Sequence, residues 1–275
     1  MNDTGLDIQV ELTEALLVRF LRREAGKFGF SRAIVGVSGG VDSAVTAALA
    51  ARASGPKDVL AVNMPYRTSD PASAADAEAV AQALGVATRS VDISAMADGY
   101  LTEHDIEDRG RRGNVMARCR MIVLYDLSVE WNGLVIGTSN KTELLLGYST
   151  QFGDSASALN PLGDLYKHQI YQLARHLDLP AEVIDKAPSA DLFEGQTDEE
   201  ELGFTYDEAD RLLFLLVDER HDAAQLAERG FDPKLVEGVV RRIVNSQYKR
   251  IPPVVAKISD RTVNQDFRYL RSWGR

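Results

Sequence analysis

Apolar residues recur at Leu12, Leu16, Leu17, Phe20 and Leu21, a helical spacing that places them on one face of a first helix. Arg19, Arg22, Arg23 and Glu24 fall between or after them, as solvated positions should. The period then changes. Ala33-Ile34-Val35-Gly36-Val37 is a nearly continuous apolar run, the pattern of a strand buried on both faces. A Ser-Gly-Gly turn follows, and the alanine-rich stretch 44–53 suits only helix.

The alternation repeats. Residues 59–64 read as a second strand. Ser69 or Asp70 can cap a helix that carries Pro71 in its first turn and Gly85 just past its end. Residues 86–93 form a weaker strand, 111–131 a long helix, and Leu134-Val135-Ile136-Gly137 a fourth strand. This order predicts an α/β fold: a doubly wound parallel sheet with right-handed crossovers and helices on both faces. From 188 to 203 the pattern lapses into a long polar loop, of a kind more often functional or mobile than inert. Helices then resume. Thr205 and Glu208 form a capping box, and Asp232-Pro233 opens a helix running to about Gln247. With no internal repeat and no low-complexity linker, residues 1–275 read as one domain with a helical C-terminal part.

Composition narrows the classes. Hydrophobic residues at 45% and charged residues at 26% are ordinary for a globular chain of 275 residues. No stretch approaches the ~20 apolar residues that cross a bilayer. The N-terminal segment lacks the basic and apolar regions of a secretory signal, so a soluble, cytoplasmic protein without membrane association is expected. The single cysteine, Cys119, can form neither an internal disulfide nor a cysteine-rich zinc site and reads as a packing residue. Net charge of −10 argues against nucleic-acid binding, while leaving room for a local basic pocket that takes a small phosphorylated ligand.

The most informative segment is Gly36-Val37-Ser38-Gly39-Gly40-Val41-Asp42-Ser43, where a strand feeds a turn of small residues and the turn feeds a helix. Gly39 and Gly40 let backbone N–H groups approach an anion, Ser38 and Ser43 add hydroxyls, and the helix points its positive end at the same place. These parts make a phosphate cradle. A purely structural turn would not need so rich a segment. The lysine-containing phosphate loop is absent, because the only Gly-Lys pair, Gly26-Lys27, is followed by Phe28. Residues 36–40 also satisfy the G-x-S-x-G nucleophile elbow, but only 37 residues precede Ser38 and none of the four histidines (His104, His168, His176, His221) has a distinguishing context.

Ser38-Gly39-Gly40-Val41-Asp42-Ser43 resembles the S-G-G-x-D-S signature of the N-type ATP pyrophosphatases. Further segments then follow in order: Gly137-Thr138-Ser139-Asn140-Lys141-Thr142-Glu143-Leu144, Phe152-Gly153-Asp154 and Asn160-Pro161-Leu162-Gly163-Asp164-Leu165-Tyr166-Lys167. Lys186-Ala187-Pro188-Ser189-Ala190-Asp191-Leu192, Gly195-Gln196-Thr197-Asp198-Glu199 and Tyr248-Lys249-Arg250-Ile251-Pro252 complete the series. Together, from about Leu12 to Pro253, they resemble the NAD synthetase family, which amidates deamido-NAD.

The resemblance implies an adenine nucleotide alpha hydrolase-like fold, ATP as co-substrate, Mg2+, deamido-NAD and ammonia, and a ligase that releases AMP and pyrophosphate. It implies ATP contacts from Gly36, Val37, Ser38, Gly39, Gly40, Val41, Asp42, Ser43, Thr138, Lys167 and Ser189. Asp42 and Glu143 become the metal ligands, Asp42 and Lys167 the catalytic pair, and Arg118, Tyr248 and Lys249 the dinucleotide contacts. Where many ammonia-dependent members have a lysine and an aspartate at the nicotinate end, this chain has Gln151 and Ala158. A homodimer is implied, with the apolar side of the 111–131 helix (Met121, Val123, Leu124, Leu127) either serving that contact or covering the sheet. The chain has neither the length nor the cysteine context of a glutaminase domain, so free ammonia or a separate glutaminase subunit is expected. The 188–203 loop and Met64-Pro65-Tyr66-Arg67 are expected to close over the site. A tRNA-modifying pyrophosphatase, or an ATP-binding module without turnover, is the rival reading.

Overall fold

In a computed structural model that describes residues 5–189, 193, 197–263 and 266, four parallel strands form one sheet in the order β3-β2-β1-β4. These are β1 (Arg32–Gly36), β2 (Val59–Asn63), β3 (Ala87–Ser90) and β4 (Gly133–Ile136). In β1 and β2, successive side chains enter opposite layers. Ala33, Val35, Val59 and Ala61 join one buried cluster, and Ile34, Leu60 and Val62 join the other. Burial on both sides is why these strands read as continuous apolar runs. β3 lies at the edge with all four residues exposed, which accounts for its weaker pattern.

The first layer is covered by α1 (Val10–Lys27), α2 (Val41–Ser54), α3 (Pro71–Leu84) and, after β4, α7 (Lys167–His176). α2 buries nearly its whole circumference, because alanine lets helices and sheet approach closely. α4 (Ser94–Glu103) and α5 (Arg109–Trp131) cover the opposite side. Asp70 is the cap of α3, accepting from Ala72 N–H, with Pro71 first in the helix and Gly85 left-handed beyond it. α1 departs from the expected single buried face. Leu21 and Glu24 are buried, whereas Leu12 and Leu16 remain 54% and 56% exposed. On α5, Val123 and Leu127 cover the sheet, while Ile122, Tyr125 and Val129 are exposed.

Beyond β4, Ala158 N–H donates to Val135 O and Gly137 N–H to Leu159 O, so residues 158–159 extend that edge. The third cluster joins α6 (Lys141–Leu146) to α10 (Tyr206–Leu213), α11 (Ala223–Glu228) and α12 (Pro233–Asn245). α8 (Ala181–Ile184) and α9 (Asp198–Leu202) lie between α7 and α10. α9 is a helical turn inside the stretch expected to be loop. Its Asp198 N–H donates to Pro188 O at 3.1 Å, drawing the two ends of that stretch together. The expected capping box of Thr205 and Glu208 is present. Among the described residues no helix is long and apolar enough to cross a membrane.

Candidate active site

A cleft of about 1200 Å³ opens at the carboxyl ends of β1 and β4. The chain order of the sheet reverses there, the position at which open α/β sheets take ligands. Val37 N–H still reaches Val62 O at 2.8 Å, so strand pairing continues to the very start of the glycine turn. Gly39 then adopts φ +81°, and a Cβ there would lie 2.5 Å from the Ser73 carbonyl oxygen. Conformation and packing against α3 both require glycine. Gly40 caps α2 without any side-chain acceptor, so the first-turn N–H groups and the positive helix end remain open to the cleft. The Ser43 hydroxyl donates to Gly40 O at 2.8 Å and accepts from Ser38 N–H at 3.2 Å, shaping the turn from within.

Three charged side chains converge beside this turn. Asp42 comes from the first turn of α2, Glu143 from the first turn of α6, and Lys167 from the first residue of α7. Lys167 Nζ donates to Asp42 Oδ2 and lies 3.9 Å from Glu143 Oε1, with only 3% of its side chain exposed. The ammonium also sits 5.0 Å from the centre of the Tyr206 ring. Burial alone would lower the Lys167 pKa, but the Asp42 and Glu143 carboxylates outweigh it and hold the amine above its ordinary value. Burial, reinforced by Asp42, pushes the Glu143 carboxyl well above the usual carboxylate range against the pull of Lys167.

Backbone anchors place Lys167. Its N–H donates to Thr142 Oγ1 at 3.1 Å, and the Thr142 hydroxyl in turn donates to Asp210 Oδ1. His168 N–H donates to the other Asp210 oxygen at 2.7 Å. The first turn of α7 is thereby tied to both α6 and α10. Two carboxylates directed at one positive charge are a fitting donor set for a hard divalent ion that takes few carboxylates and fills its shell with water and phosphate oxygens. Among the described residues no cluster of three or more His, Cys, Asp and Glu side chains could hold an ion, so an ion on Asp42 and Glu143 would complete its shell with water, or with phosphate oxygens once a nucleotide is bound.

The cleft gathers most of the residues expected from the sequence. Gly36, Val37, Ser38, Gly40, Val41, Asp42, Ser43, Thr138, Glu143, Lys167, Ser189 and Lys249 line it, and Gly39 packs behind the turn. Arg118 and Tyr248 are not brought in. Arg118 is exposed and donates to Gln151 O at 3.3 Å. Tyr248 is 56% exposed and lines a separate groove of about 750 Å³ along α12. Lys249 borders both cavities, donating to Gly147 O at 2.8 Å and Ser149 O at 2.6 Å, and burial lowers its ammonium pKa.

Arg120 lines the cleft and donates to Met64 O at 3.0 Å. Two residues along a helix turn by about 200°, so Arg118 and Arg120 point to opposite sides. Lys186 is another cleft cation the sequence reading did not single out, although it begins one of the quoted segments. Its Nζ is held by Asp76 at 2.6 Å and Ser73 at 3.1 Å, directly behind the turn. Met64, Pro65 and Arg67 line the cleft, whereas Ala190, Asp191, Leu192, Gly195 and Gln196 lie outside the described residues. No histidine is among the described residues lining the cleft, which removes the nucleophile-elbow reading of Ser38.

The sequence model of the NAD synthase family matches residues 13–253. The NH(3)-dependent NAD(+) synthetase of Trichlorobacter lovleyi is 53% identical over 270 residues, covering 98% of this chain and 99% of that one. Among solved structures, the NMN synthetase of Francisella tularensis superposes with a TM-score of 0.81 at 31% identity, over 91% of this chain and 99% of the other. The NH3-dependent NAD synthetase of Campylobacter jejuni superposes with a TM-score of 0.77 at 32% identity, over 91% and 100%.

Proposed function

The chain belongs to the NAD synthase family, and from that premise we propose that it amidates deamido-NAD to NAD with ammonia, converting ATP to AMP and pyrophosphate. The observation that carries this reading is the meeting of Asp42, Glu143 and Lys167 beside the open N–H groups of the glycine turn.

The turn and the start of α2 bind the β- and γ-phosphates, leaving the α-phosphorus facing Lys167. Thr138 and Ser189 add hydroxyl contacts to ATP. The nicotinate carboxylate attacks the α-phosphorus, and the bond to the bridging oxygen breaks as pyrophosphate departs. Lys167 and the turn N–H groups stabilise the charge that develops on those oxygens. Asp42 and Glu143 are suited to hold Mg2+, which when bound offsets phosphate charge and polarises the phosphoryl oxygens. Ammonia then attacks the acyl carbon, the carbon–oxygen bond to AMP breaks, and the nitrogen sheds a proton to solvent.

Arg118, Tyr248 and Lys249 serve the dinucleotide. Arg118 heads an exposed stripe on α5 with Ile122, Tyr125 and Val129, at spacings of four, three and four residues. That stripe supports a homodimer in which Arg118 meets substrate bound in the partner, and it leaves Val123 and Leu127 to cover the sheet. A cytoplasmic enzyme using free ammonia is the setting this reading fits.

The test is incubation of the purified chain with ATP, Mg2+, ammonium and deamido-NAD. NAD and AMP should appear in equal amounts, and ADP with orthophosphate in place of AMP would overturn the reading. Glutamine in place of ammonium should give no product. Nicotinate mononucleotide, supplied in place of deamido-NAD, should react poorly if the dinucleotide is the true substrate.

A further inference from the structure

Asn140 is completely buried and caps α6. Its Oδ1 accepts from Glu143 N–H at 2.9 Å, and its own N–H donates to Glu143 Oε2 at 3.3 Å. A cap needs only the oxygen, so serine or threonine would serve the helix as well. The other half of the amide makes a contact that capping does not require. Nδ2 donates to Asp42 Oδ1 at 2.9 Å, reaching 98 residues back along the chain.

The consequence is a division of oxygens. Asn140 satisfies the outer oxygen of each carboxylate, Asp42 Oδ1 through its side chain and Glu143 Oε2 through its backbone. The inner oxygens, Asp42 Oδ2 and Glu143 Oε1, are left facing the same positive charge, the Lys167 ammonium. Of the common capping side chains (Asn, Asp, Ser and Thr), asparagine alone pairs a carbonyl acceptor with a separate NH2 donor on one planar group. We propose that Asn140 is a positioning residue, which presents one oxygen of Asp42 and one of Glu143 to a shared divalent cation. The proposal rests on the metal reading above and assigns this chain's own means of building the pair. Groups that orient metal ligands typically contribute about 10- to 100-fold to metal affinity.

The experiment uses Mn2+ alone as the probe, with binding to the full chain followed by the loss of the free-ion paramagnetic resonance signal. Asn140→Ser keeps an oxygen for the Glu143 N–H and loses the donor to Asp42. It should remain folded, with a single cooperative urea transition, yet bind Mn2+ about tenfold more weakly. The half-saturating Mg2+ concentration for AMP release should rise by a similar factor, with little change in rate at saturating Mg2+. Should the serine variant fold poorly, Asn140→Thr makes the same comparison. Wild-type Mn2+ affinity in a folded variant overturns the role of Asn140 and leaves the metal reading intact. Failure of the wild type itself to bind Mn2+ overturns both.

Discussion

Asp210 tests how the support of the active-site lysine is built. It is fully buried on α10, and its carboxylate is held by the Thr142 hydroxyl and the His168 N–H. Burial outweighs these bonds and lifts its pKa from 3.8 to about 6. An acid raised in this way keeps its proton in the folded state at pH values where the unfolded chain has lost it. Its contribution to stability is therefore greatest below the unfolded pKa and declines as pH rises through the folded one. At about 1.4 kcal/mol per pH unit, the full difference is about 3 kcal/mol, of which about 2 kcal/mol falls between pH 4.5 and 7.5. Asp210→Asn removes the titration and keeps an oxygen for His168 N–H. Urea unfolding of both proteins at these two pH values isolates the one group, since the other titrating groups are common to both. Wild-type stability minus variant stability should fall by about 2 kcal/mol from the lower pH to the higher. A constant difference would refute the claim that ionising Asp210 opposes folding.

Two further substitutions address the cleft directly. Lys167→Met leaves Asp42 and Glu143 without their shared cation. It should cost about 3 kcal/mol where both carboxylates are ionised, and the cost should shrink as pH falls, because the raised Glu143 carboxyl can take up a proton, as urea unfolding across a pH series would show. AMP release should fall at least ~100-fold in the same variant. Gly39→Ala places a methyl 2.5 Å from the Ser73 carbonyl at φ +81°. Calorimetric titration with ATP should show affinity lowered by about tenfold, along with about 1–3 kcal/mol of lost stability. Unchanged ATP affinity would separate the turn's shape from nucleotide binding.

Local chemistry made much of the fold legible. Both faces of β1 and β2 are covered, so their apolar runs are unbroken. Asp70-Pro71 and Gly85 bracket α3 because capping is a contact between near neighbours. α4 was not legible. Most of its ten residues are small or polar, Met96 and Tyr100 are exposed, and only Ala97 and Leu101 are buried, so it shows little helical periodicity. α1 fails in the opposite sense. Its apolar stripe is evident, yet only the later part packs on the core: Leu21 is buried and Leu17 and Phe20 partly so, whereas Leu12 and Leu16 stay more than half exposed. Periodicity locates an apolar stripe; whether anything packs on it is a property of the tertiary fold.

The same division runs through the site. Each piece could be read from its own segment: glycines where N–H groups must meet an anion, a carboxylate one turn into α2, a lysine opening α7. Their interlock could not. Lys167 meets Asp42 across 125 residues, and Asn140 meets Asp42 across 98. Those pairings exist because β1 and β4 are neighbours in the sheet and deliver α2 and α6 to the same edge, and because α7 packs against α2. Arg118 and Arg120 make the point most sharply. They differ by two positions in one helix, and which of them faces the cleft depends on the side of α5 that Val123 and Leu127 press against the sheet. A charged residue on a long helix thus acquires its role from the apolar residues around it. Moving that apolar face by two positions would exchange the two arginines without changing either.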